Sequence, residues 1–274
     1  MKAINIQRRR LMTSLALSVL AAAPGASWAQ TAAKALAPAR GARIVVVGAG
    51  VGGATAAKYL KLFNKNLDVT LIDRNPNFIR HYGSSELITG AVTMEDLTVS
   101  YDALSDRYGV RVVRDTIVGL DADRRTVIGE KGRYAYDKLI VSPGIELLYE
   151  GIPGYSAELA ATKIPSGWIA GPQTQLLADQ LKAMPQGGTF CLVAPPNPYR
   201  CPPGPYERAA LVTEWCAKHN PTAKIIVTDP KNNFVTDETM LLGWNRLYGF
   251  SIPADYKARL DKYASPARPD CRLE

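Results

Sequence analysis

The stretch "ARIVVVGAGVGGATAAKYLKLFNKNLDVTLIDRN", residues 42–75, decides the fold. Its apolar run from Ile44 to Val47 enters Gly48-Ala-Gly50-Val-Gly-Gly53 without a polar break. An unalternating run of that kind suits a strand covered on both faces, as in a parallel sheet. A helix is expected after the glycines through Lys61, and a second strand from Asp68 to Ile72 ends at Asp73. Gly48 permits a tight turn, Gly50 lets the backbone approach a pyrophosphate, and Gly53 lets helix and strand pack closely. The helix N-terminus offers phosphate its unpaired amides and a positive dipole. Asp73 lies 20 residues beyond Gly53, where an acid takes the ribose hydroxyls. Arg74 beside it joins the cofactor-binding set. Strand, glycines, helix, strand and acid in register predict a dinucleotide-binding unit, for NAD or FAD.

The chain beyond Asp73 favours FAD. Residues 75–97, "NPNFIRHYGSSELITGAVTMEDL", do not continue a regular strand–helix repeat. The short runs "VRVVRDTIVGLD", "RTVIGEK" and "RYAYDKLIVSPG" then predict an inserted β-meander that closes on an apolar strand and a glycine turn, Leu139 to Gly144. A second unit begins at "GGTFCLVAPP", with a strand over 189–194, a helix from Glu207 to His219, and a strand "AKIIVTD" ending at Asp229. Where its glycine loop should sit stands "APPNPYRCPPGPYE", residues 194–207. Proline removes amide donors and fills the space that glycine leaves open, so this loop is closed to NAD(P). It is a rigid loop that presents one thiol, Cys201. The expected fold class is α/β, with two Rossmann-like (FAD/NAD(P)-binding) three-layer units, the second degenerate. Domains are expected at 30–160 (FAD-binding, with the meander), 161–250 (the degenerate unit) and 251–274 (a divergent tail).

Of 274 residues, 47% are hydrophobic and 21% charged, an ordinary composition for a packed globular chain. The formal charge of +8 is concentrated at the N-terminus, where Lys2, Arg8, Arg9 and Arg10 meet no acid. The remainder is mildly basic and has no Lys/Arg stripe with interleaved aromatics, which argues against nucleic acid. It suits a partner with an acidic face. Residues 1–29 have a basic start, an apolar run from Leu15 to Ala23 and small residues before Gln30, as in an export signal. The run is too short for a permanent membrane span. "QRRRLM" resembles the twin-arginine signal of proteins exported folded, with a plain Sec signal as the alternative. The mature protein is expected in the periplasm, with no membrane span. Four cysteines, Cys191, Cys201, Cys216 and Cys271, show no metal-binding spacing, and no metal is expected. Cys191 and Cys216 are expected as buried core thiols.

Several segments together resemble one family. "VVVGAGVGGATAAKYLK", "YDKLIVSPGIELLY", "GWIAGPQT", "RCPPGPYERA" and "GWNRLYGF", spread over Arg43 to Phe250, are similar to the flavoprotein subunit of flavocytochrome c sulfide dehydrogenase. That family lies within the pyridine nucleotide-disulfide oxidoreductase-like superfamily. The resemblance implies FAD on the first unit, with Gly48, Gly50, Gly53 and Asp73 as its contacts. It implies that Cys201 is a redox-active cysteine attacked by sulfide in disulfide form, and that electrons leave to a c-type cytochrome subunit. Some members link a cysteine covalently to the flavin in the segment matching "FIRHYGSSELITG"; here that position is His81, which can also form an 8α link. The family continues past this length, so the chain is expected to be a C-terminally shortened member, with similarity ending near Phe250. A quinone-reducing sulfide or NADH flavoprotein, and a non-catalytic FAD-binding fragment, stay open as alternatives.

Overall fold

The computed structural model describes residues 41–254 and 256. The expected export signal, most of the tail and Cys271 lie outside the described residues. The described residues begin with β1 (Arg43–Val47), α1 (Val51–Phe63) and β2 (Asp68–Asp73). Next come β3 (Asn77–Ile79), α2 (Ser84–Ile88), α3 (Met94–Leu97), β4 (Thr98–Ser100), α4 (Asp102–Tyr108) and β5 (Arg111–Arg114). Four further strands come after these: β6 (Ile117–Asp121), β7 (Thr126–Gly129), β8 (Arg133–Ala135) and β9 (Lys138–Val141). The second half holds α5 (Ala157–Thr162), α6 (Pro172–Ala183), β10 (Thr189–Val193), α7 (Gly204–His219), β11 (Lys224–Thr228) and α8 (Asp237–Tyr248).

The described residues pack as two units, one of 41–75 with 102–144, the other of 76–101 with 145–256. Where the sequence sets a single boundary near 160, the irregular segment 76–101 packs with the second unit.

The first unit is built on a four-stranded sheet in the order β5-β2-β1-β9, parallel throughout. Val45 of β1 lies opposite Thr70 on one side and Leu139 on the other. Val45, Val46, Leu71 and Ile72 are buried, as the apolar run requires of a central parallel strand. Arg111–Arg114, placed by the sequence in the meander, is instead the outer strand of this sheet. The short helix α4 provides the crossover that a parallel partner of β2 needs. The meander proper is β6-β7-β8, antiparallel. Asp115 ties it to the sheet: its carboxylate accepts from Tyr134 Oη at 2.6 Å and from the Lys131 amide at 3.1 Å. A Cβ on Gly129 would fall 2.0 Å from that carboxylate, so only glycine leaves it room. Tyr134 is pushed up to about 12, by burial first and by the Asp115 bond second.

The second unit centres on a parallel pair, β10-β11, joined through α7. Tyr206, Val212, Leu181, Ile225 and Trp244 fill its core. Along β10 the faces alternate: Leu192 is buried while Thr189, Cys191 and Val193 are exposed. Cys191 is therefore not the buried core thiol the sequence suggests, because it sits on the outward face of a strand with period 2. Cys216, on the inner face of α7, is 3% exposed as expected, and burial pushes its thiol up. Helix α7 starts at Gly204, earlier than Glu207, because proline is tolerated in a first turn whose amides lack partners anyway.

Two outcomes test this packing. Gly53→Ala, whose new Cβ would meet the Gly48 carbonyl at 1.8 Å, is expected to cost about 3 kcal/mol or more in a urea melt. An unchanged midpoint would contradict the close approach. At the base of the same sheet, Asp137 accepts from the Arg43 guanidinium at 2.9 Å and from its amide at 2.8 Å. Those contacts hold the carboxyl down at about 2. A depressed carboxyl stabilises the fold above its ordinary titration range, and the gain is lost as pH falls through the folded value. The stability gap between wild type and Asp137→Ala is thus expected to be full at about pH 5 and to close by about pH 2.

Candidate functional site

The glycine loop of the first unit is tight where the helix meets the strand and open where a ligand would lie. Gly48 adopts φ +92°, and a Cβ there would stand 2.0 Å from the Ser142 carbonyl. Its amide donates to the Ile72 carbonyl at 2.8 Å. Gly50, by contrast, has nothing within 4 Å of its Cβ position. No side chain caps α1, whose N-cap is Gly50 itself, so the first-turn amides stay available to an anion. Asp73 stands at the end of β2 with one carboxylate oxygen on the Ala49 amide at 2.7 Å and the other on the Asn75 amide at 2.8 Å. It is thereby fixed at the loop's mouth, with lone pairs left to accept from hydroxyls. Arg74 is exposed, and its carbonyl accepts from Arg114. An open cradle over Gly50, an uncapped helix and a fixed acid together fit a dinucleotide pyrophosphate and its ribose.

The second unit meets the same turn with opposite chemistry. Cys201 is exposed and takes φ +56°, in the left-handed region that non-glycine residues rarely occupy. Its carbonyl accepts from the Gly204 amide at 2.9 Å, closing the turn onto α7. Tyr199 Oη donates to the Pro202 carbonyl at 2.7 Å. From β11's end, Lys231 Nζ donates to the Pro195 carbonyl at 2.7 Å and pairs with Asp229 at 2.6 Å. Asp229 also accepts from the hydroxyl of Tyr206, whose ring stacks on Phe234. Burial works against the Asp229 charge, but the Lys231 and Tyr206 bonds outweigh it and hold the carboxyl below its usual range. Burial, then the Asp229 bond, push the Tyr206 phenol up. Asp229 occupies the position of a ribose-reading acid, and the protein's own phenol and ammonium have taken it. The sequence marks Asp229 only as a strand end; a lysine two residues on and a tyrosine in the helix's first turn are the available signals.

His81 lies between β3 and α2 in the same unit. The Ala170 amide donates to its Nδ1 at 3.4 Å, and its ring meets Phe78 edge to face. Burial, then the charge of Arg200, lower its pKa, which favours the neutral imidazole, and, with Nδ1 accepting, the proton of that form is on Nε2. Among the described residues Cys191, Cys201 and Cys216 are free thiols, and no group of side chains is arranged to hold a metal. No described helix is long and apolar enough to cross a membrane.

Residues 42–166 match the family model of the pyridine nucleotide-disulphide oxidoreductases. Residues 174–267 match that of the sulfide dehydrogenase (flavocytochrome c) flavoprotein chain, central region. The second match runs past Phe250, where the sequence alone suggests that similarity ends, and Tyr256 is indeed packed into the second unit's core. A sulfide-quinone reductase of Aquifex aeolicus is 29% identical over 107 residues, 39% of this chain and 25% of that protein. A mitochondrial sulfide:quinone oxidoreductase of Dictyostelium discoideum is 22% identical over 187 residues, 67% of this chain and 40% of that protein. Among solved structures, the Aquifex aeolicus sulfide:quinone oxidoreductase superposes with a TM-score of 0.60 at 24% identity, over 85% of this chain and 50% of that one. The chain thus spans a quarter to a half of the length of these relatives. The open glycine cradle agrees with the two matched family models, and in both units the chain is similar to FAD-binding flavoproteins of the pyridine nucleotide-disulfide oxidoreductase superfamily.

Proposed function

We propose that this chain is the flavin-binding part of an exported, periplasmic sulfide dehydrogenase that passes electrons to a c-type cytochrome. The observation that carries the proposal is Cys201, held exposed in a left-handed conformation on a proline-braced loop, within the segment that matches the sulfide dehydrogenase family model. Strained, rigid presentation of one nucleophile is what a reacting sulfur needs and what a structural thiol does not.

The Gly50 cradle and the first turn of α1 would hold the FAD pyrophosphate, Asp73 the ribose, with Arg74 and His81 as further cofactor-binding residues. An 8α link would need an unprotonated ring nitrogen, which the lowered pKa of His81 favours. Cys201 thiolate and hydrosulfide join through a new S–S bond, releasing one proton and an electron pair. Bound FAD would supply the acceptor for that pair and the means to release it singly. The chain's own part is to keep the sulfur exposed and the loop still. Because prolines leave the loop few amides and Asp229 is occupied, nicotinamide nucleotides are turned away.

The curated relatives that match are quinone reductases, and this favours a second reading in which a quinone takes the electrons. The chain purified with its own signal and with bound FAD should bleach on adding sulfide and then reduce cytochrome c. Reduction of a short-chain quinone with no cytochrome reduction would install the second reading. Cys201→Ser is expected to slow bleaching by at least about a hundredfold; bleaching at the wild-type rate would remove Cys201 from the chemistry. Tyr206→Phe deletes a bond to a charged acceptor worth about 1.5–3 kcal/mol. It should speed hydrogen exchange at the Ala194 and Gly204 amides, which donate to the Thr228 and Cys201 carbonyls, and unchanged exchange would mean that the Asp229 brace does not hold the loop.

A further inference from the structure

The prolines that close the second loop to phosphate also leave few amides to steady a negative charge at its tip. A side chain has to supply that field instead, and α7 carries one. Arg208 is only 9% exposed, one turn inside the helix. Its Nη2 donates to the Gly167 carbonyl at 2.9 Å, while its Nε is buried without a hydrogen-bond partner. Its guanidinium lies 5.8 Å from the centre of the Trp168 ring. A buried cation with an unspent N–H is costly unless an anion faces it.

Helix geometry gives its direction. Gly204 and Arg208 are four residues apart on one face, and helical side chains lean toward the N-terminus. Arg208 therefore extends over Gly204 toward the cysteine loop. Gly204 keeps that path clear: a Cβ there would lie 3.0 Å from the Trp168 ring and 3.5 Å from Cys201 Sγ. Gly167 clears the other side, where a Cβ would come within 3.1 Å of the guanidinium. Burial lowers the Arg208 pKa, and the charges of exposed Glu207 and of Cys201 work against it. Arg200, next to Cys201 in the chain, is the other cation of the loop, and its field also reaches His81.

We propose that Arg208 is a positioning residue that holds the negative charge of the Cys201 sulfur, as thiolate and then as persulfide. The persulfide half rests on the sulfide oxidation proposed above; the thiolate half does not.

Alkylation tests it without sulfide or FAD, since the thiolate displaces iodide from either reagent to give a thioether. Iodoacetate carries a negative charge and iodoacetamide none. Rates with each are read by peptide mass spectrometry at Cys201 and at Cys191, the exposed thiol of β10. In the wild-type chain the iodoacetate-to-iodoacetamide ratio is expected to be about fivefold higher at Cys201 than at Cys191. Arg208→Lys should keep most of that excess, and Arg208→Gln should remove it. Equal ratios at the two wild-type cysteines overturn the proposal, a result that stands even if Arg208→Gln does not fold. An equal slowing of both reagents in Arg208→Gln, unrescued by Arg208→Lys, also overturns it, as packing alone would do that. So does an excess that survives Arg208→Gln and disappears in Arg200→Gln. Absence of sulfide bleaching would count against sulfide oxidation and leave this ratio untouched, so the two failures are distinguishable.

Discussion

The turn from a parallel strand into its crossover helix is the constraint on which both halves of this protein depend. Parallel strands cannot be joined by hairpins, so each needs a helix packed back on the sheet, and the backbone must reverse sharply between them. In the first unit the reversal is possible because Gly48 and Gly53 have no side chains. A Cβ would lie 2.0 Å from a carbonyl oxygen at Gly48 and 1.8 Å from one at Gly53. The close approach fixes α1 against β1, and the uncapped first turn and open space at Gly50 depend on it. In the second unit the same reversal, between β10 and α7, is made by prolines and by Cys201 in a left-handed conformation.

That difference in turn chemistry decides what each unit binds. A glycine turn shows its amides, and fixed dipoles suit a phosphate that arrives already charged. A proline turn hides or lacks them, so the space is filled from within. Asp73 and Asp229 stand at matching places, each at the end of the second strand of its unit. Asp73 spends one oxygen on the Ala49 amide and orders the loop for a ligand. Asp229 spends its oxygens on Tyr206 and Lys231 and orders the loop in place of one. The two acids share a topology and differ in occupant.

Much of this architecture is legible in the residues. Period and punctuation locate β1, α1 and β2 nearly to the residue, because a buried parallel strand and a glycine turn are local signals. The outer strand Arg111–Arg114 reads as part of the meander because its four residues alternate weakly and its partner β2 is distant in the chain, Thr70 lying opposite Arg111. Cys191 reads as a core residue because cysteine usually is one; which face of β10 is buried depends on α7 and α8, which no local pattern encodes. The Asp229 brace is hidden for the same reason. Tyr206, Lys231 and Asp229 look unrelated until the fold brings helix start and strand end together.

Burying Arg208 has a cost that the fold must offset, and the loop's composition explains why it is tolerated. A thiolate at the tip of a glycine loop would have amide dipoles to face; at the tip of a proline loop it has few. The remaining sources of positive field are side chains. Arg200 is on the exposed side, where solvent and salt screen it. Lys231 is committed to Asp229 and the Pro195 carbonyl. His81 has its pKa lowered by burial, which disfavours its charged form. Of these four side chains only Arg208 is both charged and shielded from water without a carboxylate partner, and charges interact more strongly when water is excluded between them. A buried guanidinium beneath an exposed sulfur thus replaces, with one side chain, the field that the glycine loop obtains from its backbone.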